Sequence, residues 1–244
     1  MITCRLYGRL GNQMFQIAAT IAHAVRGGYR YSIPTRTIDP VKWPDHPFNL
    51  PELHTNSDIL QTWKEPTHAF TPIPIKNNLI LDGYFQSPKY FEDYIDYIRL
   101  QFKIPMHINK GILGIHVRGG DYKQHPDLHP VLPVEYYQHA LINFYETDIK
   151  QVIIFTDDPE LAKDYFPQYI NNIVSSKNPL DDFYRMCMCE HLIIANSSYS
   201  LMAAIMNRCR NKIIVAPHHS QYFGQKLKLD TKDIYPINFI QMEI

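Results

Sequence analysis

The sequence lacks several features that would assign it to a specialised class of protein. Its 24 Lys and Arg residues balance 24 Asp and Glu residues, so no overall positive field attracts nucleic acid or an anionic membrane. No apolar run approaches the roughly 20 residues that a membrane-spanning helix needs. The first residues carry no basic segment followed by an apolar stretch. We therefore expect a cytoplasmic protein without a membrane span or a nucleic-acid partner.

Cysteine is scarce as well, with only Cys4, Cys187, Cys189 and Cys209. Four irregularly spaced cysteines do not make a disulfide scaffold, and the spacing of Cys187 and Cys189 is not that of a zinc site. We expect all four to be reduced and buried. What the chain does have is 45% hydrophobic residues over 244 positions, enough for a substantial core in one or two domains.

Hydrophobic periodicity alternates between strand and helix along most of the chain. An alternating strand at residues 2–7, a glycine-bearing turn at 8–12 and helical spacing at 13–26 predict a strand, loop and helix unit. The later predicted elements are a strand at 79–85, a helix from 88 toward 102, a strand at 112–117, a helix at 133–145, a strand at 152–156, helices at 159–166 and 180–190, a strand at 192–195, a helix at 198–208 and a strand at 212–216.

This alternation predicts an α/β fold with parallel sheets and helices on both faces. The simplest partition is two α/β lobes, residues 1–105 and 106–244. Residues 34–74 are rich in Pro, His and Asn, so irregular structure or short elements are expected there.

The most informative segment is residues 114–122, which reads Gly-Ile-His-Val-Arg-Gly-Gly-Asp-Tyr. Its apolar part predicts a buried strand, so His116 and Arg118 lie at the carboxyl end, where open α/β sheets bind ligands. The planar, permanently charged guanidinium of Arg118 matches phosphate oxygens. The segment therefore predicts a site for a phosphate-containing ligand.

Four blocks of the sequence resemble, in the same order, those of the α-1,2-fucosyltransferases. Residues 116–121 resemble the family's His-x-Arg-Arg-x-Asp motif, with Gly119 in place of the second Arg. Residues 8–16 are similar to the family's Gly-x-Leu-Gly-Asn-Gln-x-Phe-Gln and to the glycine loop of protein O-fucosyltransferases. The other two blocks are Phe-Thr-Asp-Asp at 155–158 and Asn-Ser-Ser-Tyr-Ser at 196–200, and residues 83–87 are similar to a further family stretch.

This resemblance implies a GT-B fold of two facing Rossmann-like lobes, with acceptor binding and the glycine loop in residues 1–105 and GDP-sugar binding in 106–244. It also implies an inverting transfer of fucose from GDP-fucose to a galactose-containing glycan, forming an α-1,2 linkage, with no metal or other cofactor. The absence of an Asp-x-Asp pair, the usual signature of metal-bound nucleotide sugars, agrees with an Arg in place of the cation. Another GDP-sugar or acceptor, or a non-catalytic nucleotide-binding protein, stays open; the sequence makes no prediction of oligomeric state.

The resemblance also assigns roles to residues on both predicted lobes. Arg118 is expected to neutralise charge on the β-phosphate of the donor. In the glycine loop, Gly11 lets backbone amides approach a phosphate, Asn12 is expected to hydrogen-bond donor phosphate or fucose, and Arg9 adds charge.

The acidic pair and the serines each have a structural alternative. A carboxylate of Asp157 or Asp158 can accept both guanine N1 and N2 hydrogens, with His116 flanking the base, whereas Asp158 can equally cap a helix before Pro159. Ser198 and Ser200 begin a predicted helix, where they are expected either to contact phosphate or to cap the backbone.

The candidates for a general base are Asp121 and Asp127, although Asp121 can instead brace Arg118. Residues 125–129, His-Pro-Asp-Leu-His, lack further ligands at a recognisable metal spacing, so a solvated or acceptor-facing loop is favoured. Gly119 can weaken donor binding, alter acceptor choice or mark a protein without turnover. Protein O-fucosyltransferases resemble this chain in keeping only the first Arg, which implies that one guanidinium suffices.

Overall fold

The computed structural model describes residues 1–39, 45–52 and 61–243. Over these residues the chain forms two compact units. The first unit comprises described residues of Met1–Lys103 together with Lys232–Ile234, and the second comprises Ile104–Thr231 with the C-terminal segment from Tyr235. Both units are α/β with parallel sheets, which confirms the predicted fold class. The roles that the resemblance assigns to the two lobes stay predictions.

The first unit is a small parallel sheet packed against a long buried helix. Its elements are β1 (Ile2–Cys4), α1 (Leu10–Gly27), β2 (Gln61–Lys64), β3 (Leu79–Asp82) and α2 (Ile95–Gln101). The sheet order is β1-β3-β2, with both pairs parallel. Because β1 leads into α1 through residues 5–9, the glycine-bearing turn lies at the carboxyl edge of this sheet.

The first unit differs from the sequence prediction in several details. The strand predicted at 2–7 ends at Cys4, and the helix predicted at 13–26 already begins at Leu10. The strand predicted at 79–85 ends at Asp82, because Phe85 adopts a left-handed backbone with φ of 52° that cannot continue a strand. The helix predicted from residue 88 starts as two short 3₁₀ turns before α2. Strand β2 lies inside the region 34–74 that was predicted to be irregular; residues 40–44 and 53–60 of that region lie outside the described residues.

The second unit contains a six-stranded parallel sheet with the order β6-β5-β4-β7-β8-β9. Its elements are β4 (Asn109–Val117), α3 (Val134–Leu141), β5 (Gln151–Thr156), α4 (Pro159–Tyr165), β6 (Ile173–Val174), α5 (Pro179–Met188), β7 (Cys189–Ile193), α6 (Ser198–Met206), β8 (Ile214–Pro217) and β9 (Ile240–Met242). Strand β4 therefore lies inside the sheet between β5 and β7, so loops following these three strands share one edge.

Both faces of β4 are covered, as is usual for a parallel strand. Leu113, Ile115 and Val117 pack into a core with Tyr136 and Tyr137 of α3. His116, one residue out of phase, points to the other face and contacts α6. Since residues 113–117 are all buried, Arg118 is the first residue that leaves the strand toward solvent.

Several helix and strand boundaries of the second unit were predicted wrongly. The helix predicted at 180–190 ends at Met188, and Cys189, with an extended backbone, already begins β7. Helix α3 ends at Leu141 and is followed by a 3₁₀ turn rather than continuing to residue 145. Strands β6 and β9 were not predicted, because two or three residues carry no readable alternation.

Cys4, Cys187, Cys189 and Cys209 are buried free thiols, as predicted. No helix in the described ranges combines the length and apolar character needed to cross a bilayer.

Candidate active site

Arg118 lies where two neighbouring strands of the second unit end. Val117 of β4 pairs in register with Thr156 of β5, which brings Arg118 and Asp157 together. The Arg118 Nη1 is 2.8 Å from Asp157 Oδ2, and its Nη2 is 2.5 Å from Asp121 Oδ1. The guanidinium carbon also lies 4.9 Å from the centre of the Tyr122 ring. We call Arg118, Asp121, Tyr122 and Asp157 the Arg118 cluster.

These contacts hold the Arg118 guanidinium in one orientation at a largely dry position. The side chain is only 14% exposed. Its Nε is buried and has no hydrogen-bond partner among the described residues. A buried donor without a partner costs about 1–3 kcal/mol, so an anion that reaches Nε recovers part of that free energy. The arrangement suits binding of a phosphate.

His116 places a neutral ring beside this cluster. The side chain is 3% exposed, and burial together with the Arg118 charge lowers its pKa to about 3. Its ring lies 5.7 Å from that of Tyr199 on α6, between ring centres. Its Nδ1 has no hydrogen-bond partner in the described part of the chain. An uncharged ring of this kind offers stacking and one N–H, but no positive charge.

The two acidic residues after β5 have different surroundings. Asp158 caps α4, because its Oδ1 accepts from the Leu161 N–H at 3.1 Å, and its Oδ2 lies 2.5 Å from Lys123 Nζ. Burial raises the pKa of the Asp158 carboxyl, but hydrogen bonds from Lys123 and Leu161 lower that pKa overall. Asp157, besides its ion pair, accepts from the Gly119 N–H at 3.0 Å. The structure thus shows the helix-cap alternative for Asp158.

Gly119 is explained by its contact with Asp158. A Cβ placed on Gly119 would lie only 2.7 Å from the Asp158 Cβ and closer still to its carboxylate. The backbone at Gly119 has a φ of −122°, so the constraint is space and not a left-handed conformation. In this chain the acidic pair therefore fills the position toward which a second Arg side chain would point.

Both candidate general bases form ion pairs with cations. Asp121 braces Arg118, which is the structural alternative stated for it above. Asp127 lies on an exposed loop, and its Oδ2 is 2.6 Å from Lys226 Nζ. Its backbone carbonyl also accepts from the Lys226 N–H at 3.2 Å. One oxygen of each candidate carboxylate is thus occupied by a cation.

The predicted serine pair lies at the start of α6, but the two hydroxyls differ. Ser197, and not Ser198, is the N-cap, and its Oγ accepts from the Tyr199 N–H. Ser200 is fully buried and donates to the carbonyls of Ala195 and Ser197, each at 3.4 Å. Ser198 is half-buried in the first turn. Of the two predicted residues, Ser198 is therefore the one near the unpaired amides of the helix start.

In the first unit the glycine loop is organised around Asn12. Gly8 has a φ of 71°, and a side chain there would overlap Asn12. The Asn12 Oδ1 accepts from Gln86 Nε2 at 2.6 Å, which ties the loop to the segment after β3. Gln13 Nε2 donates to the Gly8 carbonyl at 2.8 Å. We call Gly8, Asn12, Gln13 and Gln86 the Asn12 cluster.

Arg9 and Gly11 flank the start of α1. Arg9 is exposed at the N-cap position, and Gly11 is buried inside the first helical turn. The first helical backbone bond runs from the Gln13 N–H to the Arg9 carbonyl at 3.1 Å. Amides of Leu10, Gly11 and Asn12 therefore have no acceptor in a preceding turn, which makes this helix start suitable for an anion.

The resemblance implies that Asn12 contacts a GDP-sugar donor; on that expectation, replacing Gln86 with Ala should weaken binding of the donor by about tenfold, because Asn12 loses the hydrogen bond that orients its amide. The measurement is the Kd for GDP-fucose together with thermal unfolding. Gln138→Ala, at an exposed position of α3, is the matched control and should leave both unchanged. An unchanged donor Kd in Gln86→Ala would show that the Asn12 amide has no role in binding.

Sequence reasoning missed four residues that build these clusters: Tyr122, Lys123, Asn196 and Gln86. Tyr122 donates its hydroxyl to the Asn196 carbonyl at 3.1 Å, and Asn196 Nδ2 donates to the Pro130 carbonyl at 2.9 Å. Tyr122, Asn196 and Gln86 lie inside segments that the sequence comparison singled out. Their contacts join positions up to 74 residues apart, so no local pattern reveals them.

The described residues contain no group of three or more His, Cys, Asp or Glu side chains placed to hold a metal ion. A braced arginine at the end of a parallel strand, and a glycine turn leading into a helix, are features at which α/β proteins bind phosphorylated ligands. The chain belongs to glycosyl transferase family 11, whose sequence model matches residues 1–243. The resemblance stated from the motifs is thereby confirmed.

Two curated relatives and one solved structure illustrate the similarity. The chain is 31% identical to the O-antigen biosynthesis glycosyltransferase WbnK of Escherichia coli over 181 residues, which span 64% of this chain and 60% of WbnK. It is 23% identical to an alpha-1,2-colitosyltransferase of Escherichia coli, over 100% of this chain and 99% of the relative. A mutant of Arabidopsis thaliana FUT1 in complex with GDP shares the fold, with a TM-score of 0.51, 11% identity and coverage of 96% and 74%.

Proposed function

We propose that the protein is an inverting, metal-independent glycosyltransferase that moves fucose from GDP-fucose to a hydroxyl of a galactose-like acceptor in an α-1,2 linkage. The observation that carries this proposal is the Arg118 guanidinium, braced by Asp121 and Asp157 at the end of β4. Membership of glycosyl transferase family 11 supports the reaction class. The name of the colitosyltransferase relative supports the linkage.

Arg118 has the properties needed to assist departure of GDP. As the bond between the anomeric carbon and the β-phosphate oxygen breaks, negative charge grows on that oxygen. A guanidinium already oriented by two carboxylates stabilises this charge without reorganising. In this proposal Asp121 and Asp157 are positioning residues, and chelators leave the rate unchanged because Arg118 takes the place of a metal.

The other predicted binding residues take roles that follow from their surroundings. A guanine contact by Asp157 would share oxygens that already accept from Arg118 and the Gly119 N–H, and one by Asp158 would share oxygens that already cap α4 and pair with Lys123; the 30% exposed Asp157 is the more accessible of the two. His116 is proposed to flank the base as a neutral ring. Ser198, and in the first unit Arg9, Gly11 and Asn12, are proposed to contact phosphate or sugar oxygens.

A second candidate function differs in the donor or acceptor. The full-length similarity to a colitosyltransferase favours colitose as the alternative sugar. A third possibility is a protein that binds the nucleotide without turnover. Only an assay of sugar transfer distinguishes it from the two enzymes.

The test is incubation with GDP-fucose and a panel of galactosides, with products identified by mass and linkage. A fucosylated galactoside with an α-1,2 bond supports the proposal, whereas transfer only from a colitose donor supports the alternative. GDP binding without release or transfer would leave the non-catalytic function. A repeat in EDTA checks metal independence, and loss of turnover there would contradict it.

GDP should stabilise the protein, because the Arg118 cluster is formed only in the native state. At about 100 times its Kd, GDP is expected to add about 2.7 kcal/mol to the free energy of unfolding, which corresponds to a Tm increase of about 5–10 °C. Differential scanning fluorimetry with GDP, UDP and ADP measures this effect. A response to UDP with none to GDP would contradict the donor assignment.

A further inference from the structure

His129 lies against the Arg118 cluster without belonging to any predicted role. Its ring stacks on that of Tyr122, with 4.8 Å between centres and 20° between planes. The same Tyr122 ring carries the Arg118 guanidinium at 4.9 Å from its centre. Phe223 contacts His129 on another side, with 5.7 Å between ring centres. The imidazole is therefore positioned by aromatic contacts next to the proposed phosphate site.

The His129 imidazole keeps its hydrogen-bonding capacity. Neither ring nitrogen has a hydrogen-bond partner among residues that the structure describes, whereas its backbone N–H donates to the His125 carbonyl at 2.9 Å. The side chain is half-buried. Ring stacking and a backbone hydrogen bond fix the position of the imidazole, while its nitrogens make no hydrogen bond to the described residues. Such a ring can accept a proton from a ligand.

Burial and the neighbouring charges together keep the His129 imidazole neutral near pH 7. Burial is the largest influence and lowers the pKa of its imidazole. Of the charged or titratable groups that act on it, Asp121 raises this pKa, while Arg118 and His125 lower it. The facing ring of Phe223 carries no charge, and burial raises the pKa of Tyr122 to about 12, so both stay neutral.

The carboxylates near this position are already paired with cations. Asp121 and Asp157 hold Arg118, Asp158 lies beside Lys123, and Asp127 lies beside Lys226. Each pairing therefore occupies at least one oxygen of the carboxylate with a cation. His129 is a neutral imidazole beside the cluster that is not paired with an acidic side chain in the described part of the chain, and it is half-buried, whereas the neighbouring His116 is buried with a pKa of about 3.

We propose that His129 is the proton acceptor for the acceptor sugar, a role that rests on the proposed transferase function. The acceptor hydroxyl oxygen forms a bond to the anomeric carbon of the donor, and its proton moves to a nitrogen of His129. The bond from the anomeric carbon to the β-phosphate oxygen breaks, and its electron pair stays on GDP beside Arg118. The imidazolium then releases the proton to water, which restores the neutral ring.

The test compares His129→Gln with His125→Gln, an exposed histidine four residues earlier in the same loop. In His129→Gln we expect kcat to fall about 10²–10⁴-fold with GDP affinity unchanged, because only proton transfer is removed. His125→Gln should behave like the wild-type enzyme. The wild-type kcat should rise with pH through a pKa below 6.5, and this acid limb should be absent from His129→Gln.

A second variant separates chemistry from folding. Added imidazole should restore part of the kcat of His129→Ala, which a purely structural role does not allow. The inference is overturned if a His129→Gln protein that binds GDP normally keeps the wild-type kcat and acid limb, or if imidazole fails to restore activity to a folded His129→Ala. A wild-type protein that transfers no sugar from any donor would instead overturn the proposed function and this inference with it.

Discussion

Arg118→Ala is expected to lower kcat for fucosyl transfer by about 10²–10³-fold, the usual effect of removing one group that stabilises transition-state charge. Arg118 is braced by Asp121 at 2.5 Å and Asp157 at 2.8 Å, so it needs no rearrangement when the leaving group develops charge. Steady-state kinetics with GDP-fucose and a galactoside measure the effect. The KM for the acceptor should change less than kcat.

The chain offers a close control for this experiment. Arg99 has a 15% exposed side chain and an ion pair with Asp96 three residues earlier, much like the pairing of Arg118 with Asp121 three residues later. Arg99→Ala should therefore match any general cost of losing such a pair while leaving kcat unchanged. Because Arg118→Ala also leaves two carboxylates without their cation, Arg118→Lys is the second variant. Lysine keeps the positive charge but not the planar guanidinium, so the kcat of Arg118→Lys should lie between those of Arg118→Ala and the wild-type enzyme.

An Arg118→Ala enzyme that is folded and as active as the wild type would refute the assigned role. Equal losses in Arg118→Ala and Arg99→Ala would show that the loss is structural.

Gly119→Arg, which restores the family motif, should destabilise this protein by about 1–3 kcal/mol, the typical cost of overpacking. A Cβ there would lie 2.7 Å from the Asp158 Cβ, so Asp158 must move away from the start of α4 and from Lys123. Chemical denaturation measures the free energy of unfolding. The expected result is a lower free energy of unfolding, even though the substitution introduces the residue of the motif that residues 116–121 resemble.

Combining Gly119→Arg with Asp158→Gly should recover most of this stability. Glycine removes both the Cβ and the carboxylate that a side chain at 119 would meet, and it is tolerated at a helix N-cap at a cost of only about a few tenths of a kcal/mol. If Gly119→Arg alone is as stable as the wild type, Asp158 does not determine the residue at 119. If the double variant is no better than the single one, the overlap lies elsewhere.

The sequence was sufficient to predict most elements of the second unit and the position of Arg118. Strands such as β4 and β5 are apolar runs bounded by polar residues, and their period is a local property of the chain. A charged residue directly after a buried strand must leave the sheet at its carboxyl edge, whatever the rest of the fold. The Arg118 prediction needed no knowledge of distant contacts.

Predictions remained ambiguous where the side-chain contacts of the folded protein decide the outcome. Asp158 had two equally plausible roles, and the Leu161 amide and Lys123 show one of them. Ser200 was a candidate phosphate ligand, but its hydroxyl donates to backbone carbonyls inside the protein. His129 was part of an unassigned loop until the ring of Tyr122 was found beneath it.

The sequence by itself determined the α/β class, the family and the strand end that carries Arg118, because these depend on local periodicity and on motifs of a few residues. Only the tertiary structure decided which groups brace Arg118, which aspartate caps α4, and why residue 119 is glycine. The physical reason is that parallel strands bring together loops that are far apart in the chain. Asp158 reaches Gly119 in this way, and its carboxylate takes the space in which a second arginine would lie.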